Sequence, residues 1–163
     1  MKLSINQWEV AADVEATRDV YERTSRRSPT DCTCAYCRNF AALGDSAFPP
    51  SFQELAGTLG IDYRKAVEIV EWGDFRDGQT GYGGWFHFVG TIQAGPTEEW
   101  SGACSQWPWY ELTHDFKIVL CASRRQAFSE FDDHHLVQID FQTRKRWVLP
   151  EAYPGNLHVA PQQ

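Results

Sequence analysis

Gly83-Gly84-Trp85-Phe86-His87-Phe88-Val89-Gly90 decides the fold. Large aromatic and β-branched side chains crowd this run, and such residues favour the pleated surface of a strand over a loop. The glycines that lead into it, Gly78, Gly81, Gly83 and Gly84, read as a flexible turn feeding that strand. They do not read as a phosphate cradle, which follows a strand and opens a helix so that helix amides meet the anion. Further along, Trp109 to Ala122 and His134 to Phe141 are also strand-like. In the second of these, Val137, Ile139 and Phe141 alternate with Gln138, Asp140 and Gln142, the period of a half-exposed strand. Arg146 to Leu149 adds a short final strand, closed by Pro150.

Toward the N-terminus the pattern is helical. Residues 7–26 contain no Gly or Pro, and Val10, Val14 and Tyr21 fall on one stripe with Glu9, Asp13, Arg18, Glu22 and Arg23 free to face water. Pro29 stops this element, and Ser28 to Asp31 forms a loop. Ser51 and Glu54 make a capping box for a helix over 52–59, with Phe52, Leu55, Ala56 and Leu59 inward and Gly60 as a left-handed stop. Asp62 caps a third helix over 63–72, with Ala66, Ile69 and Val70 inward and Gly73 at its end. Helices followed by strands, with no repeating strand-helix-strand order, give an α+β class. The expectation is one domain over 1–163, helices at about 7–26, 52–59 and 63–72 packed on a mainly antiparallel sheet from the C-terminal half. The tail after Pro154 frays.

The composition, 42% hydrophobic, 14% aromatic and 23% charged, belongs to a compact globule. No stretch is long and apolar enough for a bilayer, and the opening residues lack the parts of a secretory signal, so a cytoplasmic protein is expected. The five cysteines are then thiols or metal thiolates rather than disulfides. A net charge of −7 repels nucleic-acid phosphates, serves solubility and favours encounter with a protein of basic surface.

One cluster carries chemistry. Cys32-Thr33-Cys34-Ala35-Tyr36-Cys37 places three soft sulfur donors in a C-x-C-x2-C pattern, most of a tetrahedral zinc shell from a single segment. Cys32, Cys34 and Cys37 are the candidate metal ligands. Cys104, Cys121, His87, His114, His134 and His135 are chemically suited to the fourth place, and spacing does not choose among them. The same sulfurs also suit a plain buried cluster, and Cys34 to Cys37 has the spacing of a redox pair, though without the βαβ unit such a pair uses.

Other motifs say less. Gln53 to Val70 resembles a helix-turn-helix at Leu55-Ala56, Leu59-Gly60-Ile61, Ala66 and Ile69, which implies a DNA-binding regulator; Glu68 and Glu71 beside Arg64 and Lys65 leave that recognition helix without a basic face. Asp132-Asp133-His134-His135 reads as a polar turn, and no catalytic triad is legible. Residues 93–108 form a loop with Trp100 and Trp107, followed at once by Trp109, three rings suited to anchoring a partner or to covering one end of the sheet.

Asp31-Cys32-Thr33-Cys34-Ala35-Tyr36-Cys37-Arg38-Asn39-Phe40, with Leu59-Gly60-Ile61-Asp62 and Gly84 to Gly90, resembles a set of small bacterial proteins to which no activity is attached. The resemblance implies one undivided domain and carries over no catalytic residue. The expected function is a binding protein with a structural zinc at the cysteine cluster, immunity-like toward a basic partner. The alternatives are a metal-dependent hydrolase with an open position beside His87 or His134, and the helix-turn-helix regulator.

Overall fold

The computed structural model describes residues 1–25, 28–29, 32–75, 78–97 and 107–154. Its elements run β1 (Lys2–Ile5), β2 (Trp8–Ala12), α1 (Val14–Arg23), α2 (Ala35–Leu43), α3 (Pro50–Leu59), β3 (Glu68–Asp74), β4 (Gln79–Ala94), β5 (Tyr110–Thr113), β6 (Phe116–Cys121) and β7 (Leu136–Arg146). The class is α+β, as the sequence implies. Among the described residues all strands join one 7-stranded sheet, in the order β1-β2-β4-β7-β6-β5, with β3 also on β4. Every pairing is antiparallel.

The long strand β4 organises the sheet. It pairs with β7 from Gln79↔Arg146 to Val89↔Leu136, while its other edge takes β3 along its first half and β2 along its last turns. Between those two partners α1 covers the edge. The Thr17 hydroxyl accepts from Val89 N–H at 2.9 Å, and the Tyr21 hydroxyl donates to His87 C=O at 3.0 Å and accepts from His87 N–H at 3.3 Å. Side chains thus satisfy backbone groups that a missing strand would have bonded.

One side of the sheet is packed with rings. Phe48, Phe52, Phe86, Phe116 and Phe141 are buried together, with Phe116 and Phe141 stacked at 5.4 Å and Phe52 5.1 Å from Phe116. Burial of an aromatic side chain contributes roughly 1.5–3 kcal/mol of transfer free energy before the ordering cost. The glycines read as a turn lie largely inside β4, and close packing explains them. A Cβ on Gly84 would stand 2.2 Å from Glu68 C=O, and one on Gly81 would meet the Trp72 ring at 2.6 Å.

Four expected elements are corrected. The short strand over 146–149 does not form, since the ladder ends with β7 at Arg146 and residues 147–150 lie outside any strand. The helix over 7–26 is helical only as α1, because Leu3, Ile5, Trp8, Val10 and Ala12 alternate and fold into the β1–β2 hairpin, with Asn6 at φ +49° in its turn. The helix over 63–72 does not form: residues 63–65 are a turn and Glu68–Asp74 is β3. Val67 and Ile69 point inward while Val70 and Trp72 are 42% and 40% exposed, which is strand alternation and suits β-branched residues. Asp62 does cap, but it caps only that turn, accepting Arg64 N–H at 3.0 Å. With no second helix there is no helix-turn-helix. The Ser51–Glu54 capping box is also unused, since α3 begins at Pro50, with Pro49 as N-cap and no side-chain cap bond. Gly60 does end the helix in the left-handed region.

Candidate metal centre

The cysteine segment is built by α2. Tyr36, Asn39, Phe40 and Leu43 share one helical face, and Asn39 and Phe40 are buried on it. Asn39 donates to the Tyr82 hydroxyl at 3.2 Å and to Arg146 C=O at 3.3 Å, and accepts from Val148 N–H at 2.7 Å. The Tyr36 hydroxyl donates to Asp74 at 2.8 Å, and Thr80 donates to the other oxygen of that carboxylate at 3.1 Å. The Tyr36 ring stands edge-on to Trp147 at 5.9 Å. A helix interleaved with the cysteine motif is therefore fastened to β3, β4 and the chain after β7. Sequence reading missed these positioning residues; Asn39, a poor helix former inside a helical run, was the signal that a buried polar staple was needed.

The three sulfurs sit at the N-terminus of α2. Cys34 is the N-cap, and its Sγ accepts the Cys37 backbone N–H at 3.4 Å. Cys32 precedes the helix and is exposed with Cys34, while Cys37, in the first turn, is half-buried. The sulfurs of Cys32, Cys34 and Cys37 all lie within 4.8 Å of one another. Thiolates bonded to one zinc at roughly 2.3 Å stand about 3.8 Å apart, so small side-chain rotations bring all three sulfurs to bonding distance of one ion. The fit of donors to a soft ion is good.

The electrostatics already separate the sulfurs. Cys34 N–H, then the Cys37 and Cys34 thiols, donate toward Cys32 and hold its thiol below the usual range. Burial, then the hydrogen bonds it makes toward Cys32 and Cys34, push the Cys37 thiol up. A cation at the focus supplies what the Cys37 sulfur lacks to lose its proton.

Comparison with protein-family models, with curated proteins and with solved structures finds no match.

The candidates for a fourth ligand are scattered. Cys104 lies outside the described residues, as does Trp100 among the proposed anchors. Among the described residues none of Cys121, His87, His114, His134 and His135 belongs to the sulfur group. His114 is exposed beside Asp115, and His134 and His135 are exposed in the turn before β7. Trp107 and Trp109 are half-buried against the core, and Lys117 lies over the Trp109 ring at 5.0 Å.

His87 and Cys121 belong to a different place. In the ladder His87 faces Gln138, and Gln138 faces Cys121, so the three stand in one row across β4, β7 and β6. All three are buried. Gln138 donates to Asp140 at 2.8 Å, and the Cys121 thiol lies 3.8 Å from the same carboxylate oxygen. Burial pushes the Asp140 carboxyl up to about 6 and the His87 imidazole down to about 4. The His87 ring nitrogens meet no well-aligned hydrogen-bond partner among the described residues, and Gln138 offers the polar contact that partly offsets their burial. A thiol sealed beside a carboxylate is chemically quiet.

Proposed function

We propose that Cys32, Cys34 and Cys37 hold one soft divalent ion, zinc by the chemistry of the donors, and that the ion has a structural role in a binding protein. The observation that carries this is the convergence of the three sulfurs within 4.8 Å of one another at a helix N-terminus. The ion joins the segment entering α2 to its first turn, and Tyr36 and Asn39 transmit that order to the sheet. Binding supports the reading better than hydrolysis, because the histidines that would flank an open position are in the buried row or in the turn before β7. The net charge of −7 favours a protein partner with a basic surface, in the manner of an immunity protein covering a toxin's nucleic-acid groove.

Elemental analysis tests the site. The chain purified without chelator is expected to carry one zinc, and Cys34→Ser to lose it together with α2 helicity in circular dichroism. A wild-type chain that takes up no zinc from a zinc-containing buffer, or a Cys34→Ser chain that keeps a full equivalent, overturns the reading.

A further inference from the structure

We infer that the sulfur trio is also a peroxide-responsive modification site, in which a hydroperoxide oxidises Cys32 and Cys37 closes a Cys32–Cys37 disulfide that dismantles the metal shell. The ion-release half of this rests on the metal reading above; the disulfide half stands without it.

Geometry gives the sulfurs different parts. Cys34 is engaged as the helix cap, with its sulfur accepting Cys37 N–H at 3.4 Å, so drawing it into a disulfide costs α2 its cap. Cys37 sits in the first turn of α2 and is half-buried, less open to a reagent from solvent. Cys32 lies ahead of the helix, exposed, where its backbone can adjust without unwinding α2. Its sulfur lies within 4.8 Å of the Cys37 sulfur. The thiol that resolves an oxidised Cys32 thus stands close enough for a small side-chain rotation to bring the two sulfurs together.

The chemistry balances. The Cys32 sulfur attacks one oxygen of hydrogen peroxide and the O–O bond breaks. The departing oxygen takes a proton and leaves as water, and Cys32 becomes a sulfenic acid. The Cys37 sulfur then attacks the Cys32 sulfur, the S–O bond breaks, and the hydroxyl leaves with the Cys37 proton as a second water. Two thiols lose two electrons to the peroxide and become one disulfide. Only Cys34 is left as a thiolate, which cannot retain a zinc that needed three.

Zinc-loaded and metal-free full-length protein, each treated with hydrogen peroxide, tests this. Released zinc is followed with a chelating dye, the bond is mapped by mass spectrometry of peptides, and sulfenic acid is trapped with dimedone. The wild type is expected to form Cys32–Cys37 and release its zinc in step. Metal-free Cys34→Ser still forms the bond, Cys37→Ser stops at a dimedone-trapped Cys32, and Cys32→Ser reacts slower by roughly tenfold or more. A bond mapped to Cys34–Cys37, a Cys37→Ser chain with no trapped sulfenic acid, or Cys32→Ser reacting at the wild-type rate overturns the inference. A chain that forms Cys32–Cys37 yet never bound zinc overturns the metal reading and the release half with it. A chain that binds zinc and keeps all three thiols under peroxide overturns the inference alone.

Discussion

Cys121 and the trio Cys32, Cys34 and Cys37 carry the same side chain into opposite surroundings. Cys121 ends β6 inside the sheet, fully buried in a row with Gln138 and His87 and beside Asp140. The trio gathers at a helix N-terminus, two of its members exposed. Burial next to an acid removes a thiol from chemistry, whereas convergence beside backbone N–H groups prepares it for a cation or an oxidant.

The sharpest way to break this comparison is alkylation of the folded protein stripped of metal. Cys32 and Cys34 are expected to react with iodoacetamide at rates near those of free thiols, and Cys121 slower by at least about a thousandfold, because it reacts only when the sheet opens. Peptide-resolved labelling against time reads the ratio, and Cys121 labelling as fast as Cys34 would end the contrast.

The buried row makes a second prediction, in pH. A carboxyl raised to about 6 destabilises the fold once ionised, so Asp140 costs stability as pH rises from the ordinary carboxylate range through 6. An imidazole lowered to about 4 from 6.5 acts in the other direction, since the unfolded chain takes up the proton first and stability falls as pH drops from 6.5 toward 4. Each displacement corresponds to about 3 kcal/mol at full extent. In the wild type the two slopes oppose one another. Asp140→Asn, whose side-chain oxygen still accepts from Gln138 and Cys121, should be more stable than wild type at pH 8, lose that advantage near pH 4, and fall more steeply in acid. His87→Gln should show the reverse slope. Urea midpoints across pH measure both, and parallel profiles for the two variants would refute the assignment.

Smaller effects sharpen the trio's side of the contrast. Tyr36→Phe removes the hydrogen bond to Asp74 that docks α2, and a loss of about 1 kcal/mol is expected in urea unfolding. Arg18→Ala breaks only the exposed pair with Glu15, whose side chains are 47% and 84% accessible, and should change stability by no more than about 0.5 kcal/mol. A larger loss there would mean that α1 is held differently from the arrangement described.

Much of this was legible in the residues. The run Trp85 to Val89 announced the central strand, the alternation from Val137 to Phe141 announced its partner, and Phe52, Ala56 and Leu59 with Gly60 announced α3. The cysteine spacing announced a cluster that the fold does gather. What misled was ambiguity of period over short segments. Ala66, Ile69 and Val70 satisfy a helical stripe as well as a strand, and only pairing along β4 decides between them. Likewise Val10 and Val14 suggested one helix because no glycine or proline marks the Asn6-Gln7 turn. The row of His87, Gln138 and Cys121 could not be read from sequence at all, since its members are brought side by side by strand register rather than by spacing.

The hydroxyls of Thr17 and Tyr21, set against the stretch of β4 between β2 and β3, have a consequence for association between molecules. An uncovered ladder segment in the middle of a sheet invites a strand from another chain. Here two side chains from a helix occupy those bonding positions, and a helix cannot be extended by an incoming strand. That stretch of β4 is thereby closed to intermolecular growth, and a mutant lacking both hydroxyls would leave the His87 and Val89 backbone groups buried without partners, a loss of stability even while the helix still bars an incoming strand.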